Sequence, residues 1–453
     1  MTSTAQTHRH HPEAPAVPAP APARTAPAGP PPAHRAPAAP SPARPALAGT
    51  APANPTPAAP SPEGPALAGP PPTRRSPSGR RGWRALAHRI DTATPPTRDR
   101  ATDALRALAI LGVVLGHWLV TALVTDSGTV HASSPLWHMP QLAPASWLFQ
   151  TLAVFFLVGG HVGSRSLAAA RARGTSYHRW LGVRMARLFR PVAAVLAVWT
   201  VVVVVLLGSG VDQKSVYALG KLVLSPLWFL LVLAGLTALT PLVARLHPAW
   251  PMAVVAGVDL VRFGLDGPAW LGWANVAAAW LVPYCLGAAW ARGLPRATGG
   301  VLLSAGAAAT AALVLWAGYP AAMVGVPGAE ISNLHPPTLA AVTFGLAQCG
   351  AALLLLGPLR RVLRRPAVWA AVALVNLSAM TIFLWHQTAM IAVTATGLLT
   401  GAALPGLHTV PDGSGWVLAR LAWLPVFAGV LVVCWAAFRT QERGARVPAA
   451  DRA

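Results

Sequence analysis

Long apolar segments recur from Ala104 to Phe438, and they constrain the fold of this chain more than any other feature. A helix needs roughly 20 mostly apolar residues to cross the hydrocarbon core of a bilayer, which is about 30 Å thick. Only 11% of the 453 residues are charged, too few for a soluble chain of this length. The sequence therefore predicts an all-α, polytopic transmembrane bundle of about ten helices, near 104–124, 146–167, 191–207, 222–244, 250–265, 269–290, 299–320, 338–356, 368–397 and 416–438.

The loops between these segments differ in positive charge. Thirteen arginines lie in the alternate loops 168–190, 245–249, 291–298 and 357–367, whereas the opposite loops contain only Lys214 and Lys221. Lys and Arg collect in cytoplasmic loops. The pattern predicts a multi-pass protein of the cell membrane with both termini in the cytoplasm.

The formal net charge of +22 does not indicate nucleic-acid binding, because its carriers form no stripe on a folded soluble face. Residues 1–73 are rich in Pro and Ala, which predicts a disordered cytoplasmic tail. Residues 74–103 form a basic juxtamembrane segment, either lying on an anionic leaflet or serving as a solvated linker. The membrane domain is then 104–438, and 439–453 is a cytoplasmic tail.

The first apolar segment carries an arginine and a histidine, Arg106 and His117, eleven residues apart. On an α-helix this spacing is three turns, so both side chains share a face and lie roughly 16 Å apart along the axis. Ionisable residues at membrane depth usually face a polar cavity. Histidine exchanges protons near neutral pH, so His117 is the candidate general base, with Arg106 assigned to the catalytic pair. A structural histidine bonded to a neighbouring helix is the alternative.

A second arginine motif, Arg184-x-x-Arg187, precedes the third segment. Residues three apart on a helix are neighbours, so the two guanidinium groups can grip one phosphate of a coenzyme A thioester. Positive charge demanded by topology alone explains the same motif.

Other polar residues are weaker candidates. His386 in the ninth segment could orient an acceptor or bond His117, and Glu330 and His335 in the loop 321–337 could contact the acceptor. Structural roles explain all three equally well. Asp259 could simply pair with Arg262 one turn away. The three cysteines lie inside apolar segments, so we expect small buried hydrophobes and neither a metal site nor a bound cofactor.

Taken together, these motifs resemble acyltransferase family 3, the integral membrane acyltransferases that include O-antigen acetylases. The Arg106-x10-His117 spacing is the most specific element. It is followed by the phenylalanine pair Phe155-Phe156 and by Arg184-x-x-Arg187. Weaker similarities are Leu227-Trp-Phe229 with Pro241, and Ser378 to His386. The resemblance implies ten core helices, an acyl-CoA donor, acetyl-CoA by default, and an acceptor that is a carbohydrate, cell-wall glycan or secondary metabolite.

Two features depart from the family pattern. A Ser-Gly pair commonly follows the two phenylalanines, but here Gly159 and Gly160 precede His161, so no serine role is carried over. Some relatives carry a fused extracytoplasmic esterase-like domain, and about fifteen residues follow Phe438 here. We therefore expect a single-component enzyme, or one that relies on a separate extracytoplasmic protein.

The resulting hypothesis is an acyl-CoA-dependent O-acyltransferase that uses His117 as base. A transporter or flippase could use the same polar cavity without forming a bond, although no internal repeat typical of transporters is found. A scaffold whose Pro-rich tail recruits partners is a third possibility.

Overall fold

The computed structural model of the chain describes residues 79–126, 129–327, 329 and 331–442, all within one structural unit, Arg74–Ala453. The tail 1–73 and the residues from 443 onward, for which disorder and a cytoplasmic location were predicted, lie outside the described residues.

Helices dominate the described part of the chain. Their bounds are α1 Gly79–Thr92, α2 Arg100–Val120, α3 Pro135–His138, α4 Ala143–Ser146, α5 Leu152–Ala172, α6 Tyr177–Gly208, α7 Gln213–Leu224, α8 Leu227–Ala238, α9 Thr240–Val243, α10 Ala249–Asp259, α11 Asn275–Arg292, α12 Thr298–Trp316, α13 Leu339–Val362, α14 Pro366–Leu377, α15 Ala379–Leu398 and α16 Ser414–Phe438. Short 3₁₀ segments occupy Pro140–Leu142, Ala269–Ala274 and Arg439–Glu442, and a π-helical turn covers Leu260–Gly264. Two antiparallel strands, β1 Ala122–Asp126 and β2 Thr129–Ser133, pair Leu123 with Ala132.

The predicted apolar segments correspond to these helices. In the described part of the chain, eight spans are long and apolar enough to cross a membrane, and α14 with α15 makes a ninth if the bent pair is counted as one. This confirms the all-α membrane fold. The fifth predicted segment, 250–265, forms α10 and the π turn, which are not among these candidate spans.

The predicted segment 368–397 is broken. Helices α14 and α15 meet at Ser378 with a bend of 72°. Two polar residues interrupt the apolar run there, and the Asn376 amide donates to the carbonyl oxygen of Asp103 in α2 at 2.7 Å. A break in a helix at membrane depth is tolerated where protein covers it. The bend gives α15 a direction of its own, and α15 carries His386.

Several helices begin at a residue whose side chain accepts backbone N–H groups of the first turn. Asp99 caps α2, Ser176 caps α6, Asp212 caps α7 and Thr338 caps α13. The first turn of a helix leaves N–H groups without intrahelical partners, and these side chains satisfy some of them. Helix α1, part of the predicted juxtamembrane segment, is followed by Thr94, whose hydroxyl accepts from the Trp369 indole of α14 at 2.8 Å.

Glycines allow α5 and α11 to approach each other closely. A Cβ atom on Gly160 would lie 2.0 Å from the carbonyl oxygen of Tyr284, and one on Gly287 would lie 2.0 Å from that of Leu157. Small residues at helix contacts are typical of membrane bundles, where close backbone packing drives association.

Three helices, α6, α12 and α16, expose large apolar side chains such as Val204, Leu315 and Val433, as expected for lipid-facing helices.

Hydrogen bonds join the strands and loops that lie near the C-terminal end of α2. The Ser215 hydroxyl of α7 accepts from the Val130 N–H of β2 at 2.9 Å, and the Thr125 N–H of β1 donates to the carbonyl of His408 at 3.2 Å. The Trp147 indole donates to the carbonyl of Ala321 at 2.7 Å. These contacts surround the end of α2 that carries His117.

Candidate active site

His117 lies in the last turn of α2 and is partly exposed. Its Nδ1 is 3.0 Å from Nε2 of Gln387 on α15. Its ring centroid is 5.1 Å from that of His386, the residue before Gln387. The side chain is thus held on one side by α15, and its other ring nitrogen is not engaged by Gln387.

A pocket of about 470 Å³ reaches His117 from the loops at the C-terminal end of α2. Most of its lining is apolar, which is typical of small-molecule sites that place a few polar groups among apolar walls. Its lining includes His117, Tyr217, Lys221, Trp228, His335 and Phe383. The pocket therefore offers the imidazole of His117 access to a molecule arriving from this end of the bundle.

His386 lies beside the pocket rather than in its lining. The side chain is fully buried, and its Nδ1 is 2.5 Å from the carbonyl oxygen of Phe383, to which it donates. Its own carbonyl accepts from the Trp118 indole at 2.9 Å. The bond to Phe383 lies within α15, and the bond from Trp118 ties α15 to α2 at the level of His117. The rings of His386 and His117 lie side by side, but the proposed hydrogen bond between them is not formed, because Nδ1 of His386 donates to Phe383 and its Nε2 has no partner.

Arg420 of α16 holds the end of α2. Its guanidinium donates to the carbonyl oxygens of Trp118 at 2.6 Å, Thr121 at 2.5 Å and Gly406 at 2.8 Å. The residue is 1% exposed. The last carbonyls of a helix lack intrahelical partners and carry partial negative charge, so a buried cation there is stabilising. Arg420 therefore fixes the turn from which His117 projects.

Arg184 and Arg187, predicted to bind the donor, lie near Arg106, predicted to belong to the catalytic pair. Arg184 lies within electrostatic range of Arg106, Arg187 and the hydroxyl of Tyr284, and it stacks over the Trp180 ring at 4.9 Å. Arg187 is exposed, while Arg106 and Arg184 are half-buried. The sequence spacing of Arg184 and Arg187 alone did not place Arg106 near them.

Arg106 does not line the pocket that His117 lines, nor do Arg184 and Arg187. Phe229 and Phe383 line the pocket, with ring centroids 5.5 Å apart, and Phe229 also contacts Phe155 at 4.9 Å. Phe155 does not line the pocket, so it lies behind this aromatic wall. The pocket at His117 therefore does not extend to Arg106, although the two residues share a helical face.

The loop before α13 supplies His335 to the pocket. The His335 ring lies 5.9 Å from that of Trp228, edge to face, and burial together with the charge of Lys221 lowers the pKa of His335. A lowered pKa favours the neutral form of the imidazole. Glu330, predicted from the same loop, lies outside the described residues.

Buried polar contacts shape that loop. The Asn333 amide donates to the carbonyls of Pro320 at 2.6 Å and Ala322 at 3.0 Å, and its oxygen accepts from Thr338 at 2.6 Å. Asn333 is 0% exposed and does not line the pocket. Its role is to hold the loop that presents His335.

Asp259 anchors both ends of the same loop. Its carboxylate accepts from the Tyr319 hydroxyl at 3.0 Å and from the Leu339 N–H at 2.6 Å, and from Asn275 at 2.9 Å. The predicted partner Arg262 is 4.0 Å away, at the outer limit of an ion pair. Asp259 also raises the pKa of the Tyr319 hydroxyl, in addition to the effect of burial. The aspartate is therefore chiefly a loop anchor.

Three residues near the site were missed from the sequence. Gln387 and Arg420 are polar residues inside apolar segments, a signal that was available, although it did not indicate a contact with α2. Lys221 was counted only as a loop charge. His161, which follows Gly159 and Gly160, is buried and stacks on Trp290 at 3.7 Å, away from the pocket lining.

The fold and site define a class: a polytopic membrane protein in which α2 presents a histidine to a pocket at one end of the bundle and carries an arginine, Arg106, that lies near the two arginines of α6. A family model described as an acyltransferase domain matches residues 99–439. The chain belongs to this family, acyltransferase family 3, as its motifs predicted. No curated protein and no solved structure matches the chain.

Proposed function

We propose that this membrane acyltransferase transfers an acyl group, acetyl in the simplest case, from acyl-CoA to a hydroxyl of a carbohydrate, cell-wall glycan or secondary metabolite. The observation that carries the proposal is the position of His117, in the lining of a pocket and bonded to a second helix through Gln387. An acceptor hydroxyl in that pocket would meet the imidazole nitrogen that faces away from α15.

The reaction balances as follows. Nε2 of His117 takes the proton of the acceptor hydroxyl while its oxygen attacks the thioester carbonyl carbon. The new C–O ester bond forms, the C–S bond breaks, and the coenzyme A thiolate takes the proton from the imidazolium. His117 returns to its neutral form, and no further reactant is needed.

This role requires one tautomer of His117. Nε2 can accept a proton only if Nδ1 carries the hydrogen, so Gln387 must present its amide oxygen to Nδ1. The amide nitrogen and oxygen of glutamine exchange places by a half-turn, and the oxygen of Gln387 has no other hydrogen-bond partner. An amide oxygen turned to His117 satisfies both groups.

The donor is assigned to the arginine cluster. Guanidinium groups bind phosphates through paired hydrogen bonds, and Arg106, Arg184 and Arg187 bring three of them together. Arg106 and His117 are separated by roughly 16 Å along α2, so the flexible pantetheine arm of the donor would bridge the distance, passing the rings of Phe155, Phe229 and Phe383. The arginine-rich end would then face the cytoplasm, with both termini there, which the loop charges support.

The test is acyl transfer by the purified full-length protein, measured as release of coenzyme A from labelled acetyl-CoA with a panel of hydroxyl acceptors. We expect His117→Ala to lower kcat roughly a hundredfold or more, the usual contribution of a general base. The control is His247→Ala, because His247 is exposed and its ring bonds only the nearby Ala249 N–H. Equal turnover by the His117 variant and the control would refute the base assignment.

A further inference from the structure

Lys221 is the only Lys, Arg, Asp or Glu among the described residues that line the His117 pocket. It lies on α7, and its ammonium nitrogen is 6.0 Å from the centroid of the Tyr217 ring, which also lines the pocket. Among the described side chains no carboxylate forms an ion pair with it. The pocket therefore has a single positive charge on a largely apolar wall.

From these features we infer that the acceptor is anionic: a hydroxyl compound with a phosphate or carboxylate group that pairs with Lys221 while the hydroxyl to be acylated lies at His117. This inference rests on the proposed function, because it names the substrate class of the same pocket.

Charge complementarity supports an anionic ligand. An ammonium group on the wall of the pocket attracts a negative group, and because Lys221 is exposed this attraction is partly screened by water and salt. A neutral or cationic acceptor would gain nothing from Lys221. His335 lines the same pocket as Lys221.

The neighbouring rings favour a sugar-sized acceptor. Tyr217 is 69% exposed and Trp228 is half-buried, so both present ring surface to the pocket. Such side chains combine an apolar face with a polar atom, which suits the mixed surface of a sugar ring. A cavity of about 470 Å³ holds one or two such rings. The anion would then lie at the α7 wall and the reacting hydroxyl at the α2 wall.

The experiment compares glucose, glucose 6-phosphate and glucuronic acid as probes. Binding to the full-length protein in nanodiscs of neutral phosphatidylcholine is measured at equilibrium, and coenzyme A release is measured separately. We expect tighter binding of the two anionic sugars, a roughly tenfold weakening of that binding in Lys221→Gln, and a stronger loss in Lys221→Glu, as for one charged hydrogen bond.

Lys214→Gln is the matched control. Lys214 is seven residues before Lys221, on the same face of α7, and it does not line the pocket. The control should bind all three sugars as the wild type does. Equal binding of glucose and the anionic sugars by the wild type, or an equal effect of the two lysine substitutions, would overturn the inference.

Two further outcomes separate the possible sources of the anion and the two proposals. If phosphatidylglycerol in the nanodiscs removes the difference that depends on Lys221, the anion is a lipid head group and the acceptor assignment is wrong. Binding needs no turnover, so His117→Ala should keep the preference for anionic sugars. A preserved preference without coenzyme A release by the wild type would refute the proposed function and leave the anion site standing.

Discussion

Gln387 offers the sharpest test of how His117 is prepared for catalysis. Its Nε2 is 3.0 Å from Nδ1 of His117, and the residue is 1% exposed, so no bulk water replaces the bond if it is removed. In Gln387→Met the side-chain volume is kept, but Nδ1–H loses its acceptor. An unsatisfied buried donor costs about 1–3 kcal/mol. If His117 avoids that cost by adopting the other tautomer, Nε2 no longer accepts a proton, and kcat falls roughly five- to a hundredfold.

A second substitution distinguishes the two orientations of the Gln387 amide. Gln387→Glu supplies a carboxylate that can accept from Nδ1–H, so it should recover much of the activity lost in Gln387→Met. If Gln387 instead donates to Nδ1, an ionised glutamate cannot replace it, and the glutamate variant should be at least as impaired as the methionine variant. The measurement is kcat for coenzyme A release at saturating acetyl-CoA, with thermal unfolding as the check on folding.

Thr388→Val is the control for these variants. Thr388 is the next residue of α15, and its hydroxyl accepts from the Trp199 indole at 3.0 Å, so the substitution also removes one hydrogen bond within the bundle. We expect little change in kcat. Unchanged kcat in Gln387→Met, or an equal loss in Thr388→Val, would show that Gln387 does not set the tautomer of His117.

Two further predictions concern the arginines. Arg420→Met should lower the free energy of unfolding by roughly 2–4 kcal/mol, because three carbonyl oxygens lose a charged donor. The variant no longer pays the desolvation cost of a buried guanidinium group, which partly offsets the loss. Thermal unfolding of the purified protein measures the change, and an unchanged midpoint would contradict the role of Arg420 at the end of α2. Arg184→Ala should raise KM for acetyl-CoA about tenfold with little change in kcat, because it removes a phosphate contact distant from the thioester. The control Arg245→Ala, in another arginine-containing loop, should leave KM unchanged. A loss confined to kcat in Arg184→Ala would contradict the donor assignment.

Much of the membrane architecture follows from local composition. Lipid cannot hydrogen-bond a backbone, so a run of about 20 apolar residues must form a helix wherever it occurs, and the predicted segments could be located without knowing their partners. The break at Ser378 was not predictable in the same way. Beside the break, the Asn376 amide donates to the Asp103 carbonyl of α2, a contact between residues 273 positions apart that the local sequence does not indicate.

The sequence by itself determined the helical membrane class, the family and the chemically capable residues, His117 and the arginines, because residue type and spacing along one helix decide these features. Only the tertiary structure decided what each residue meets. Gln387 touches His117 and Arg420 closes the end of α2 because α15 and α16 pack against α2, and Lys221 enters the pocket from α7, which packs against β2 and α15. Arg106 does not line the pocket, although both residues of the motif share a helical face. Helical periodicity specifies the direction in which a side chain points, whereas the packing of distant segments decides what lies there.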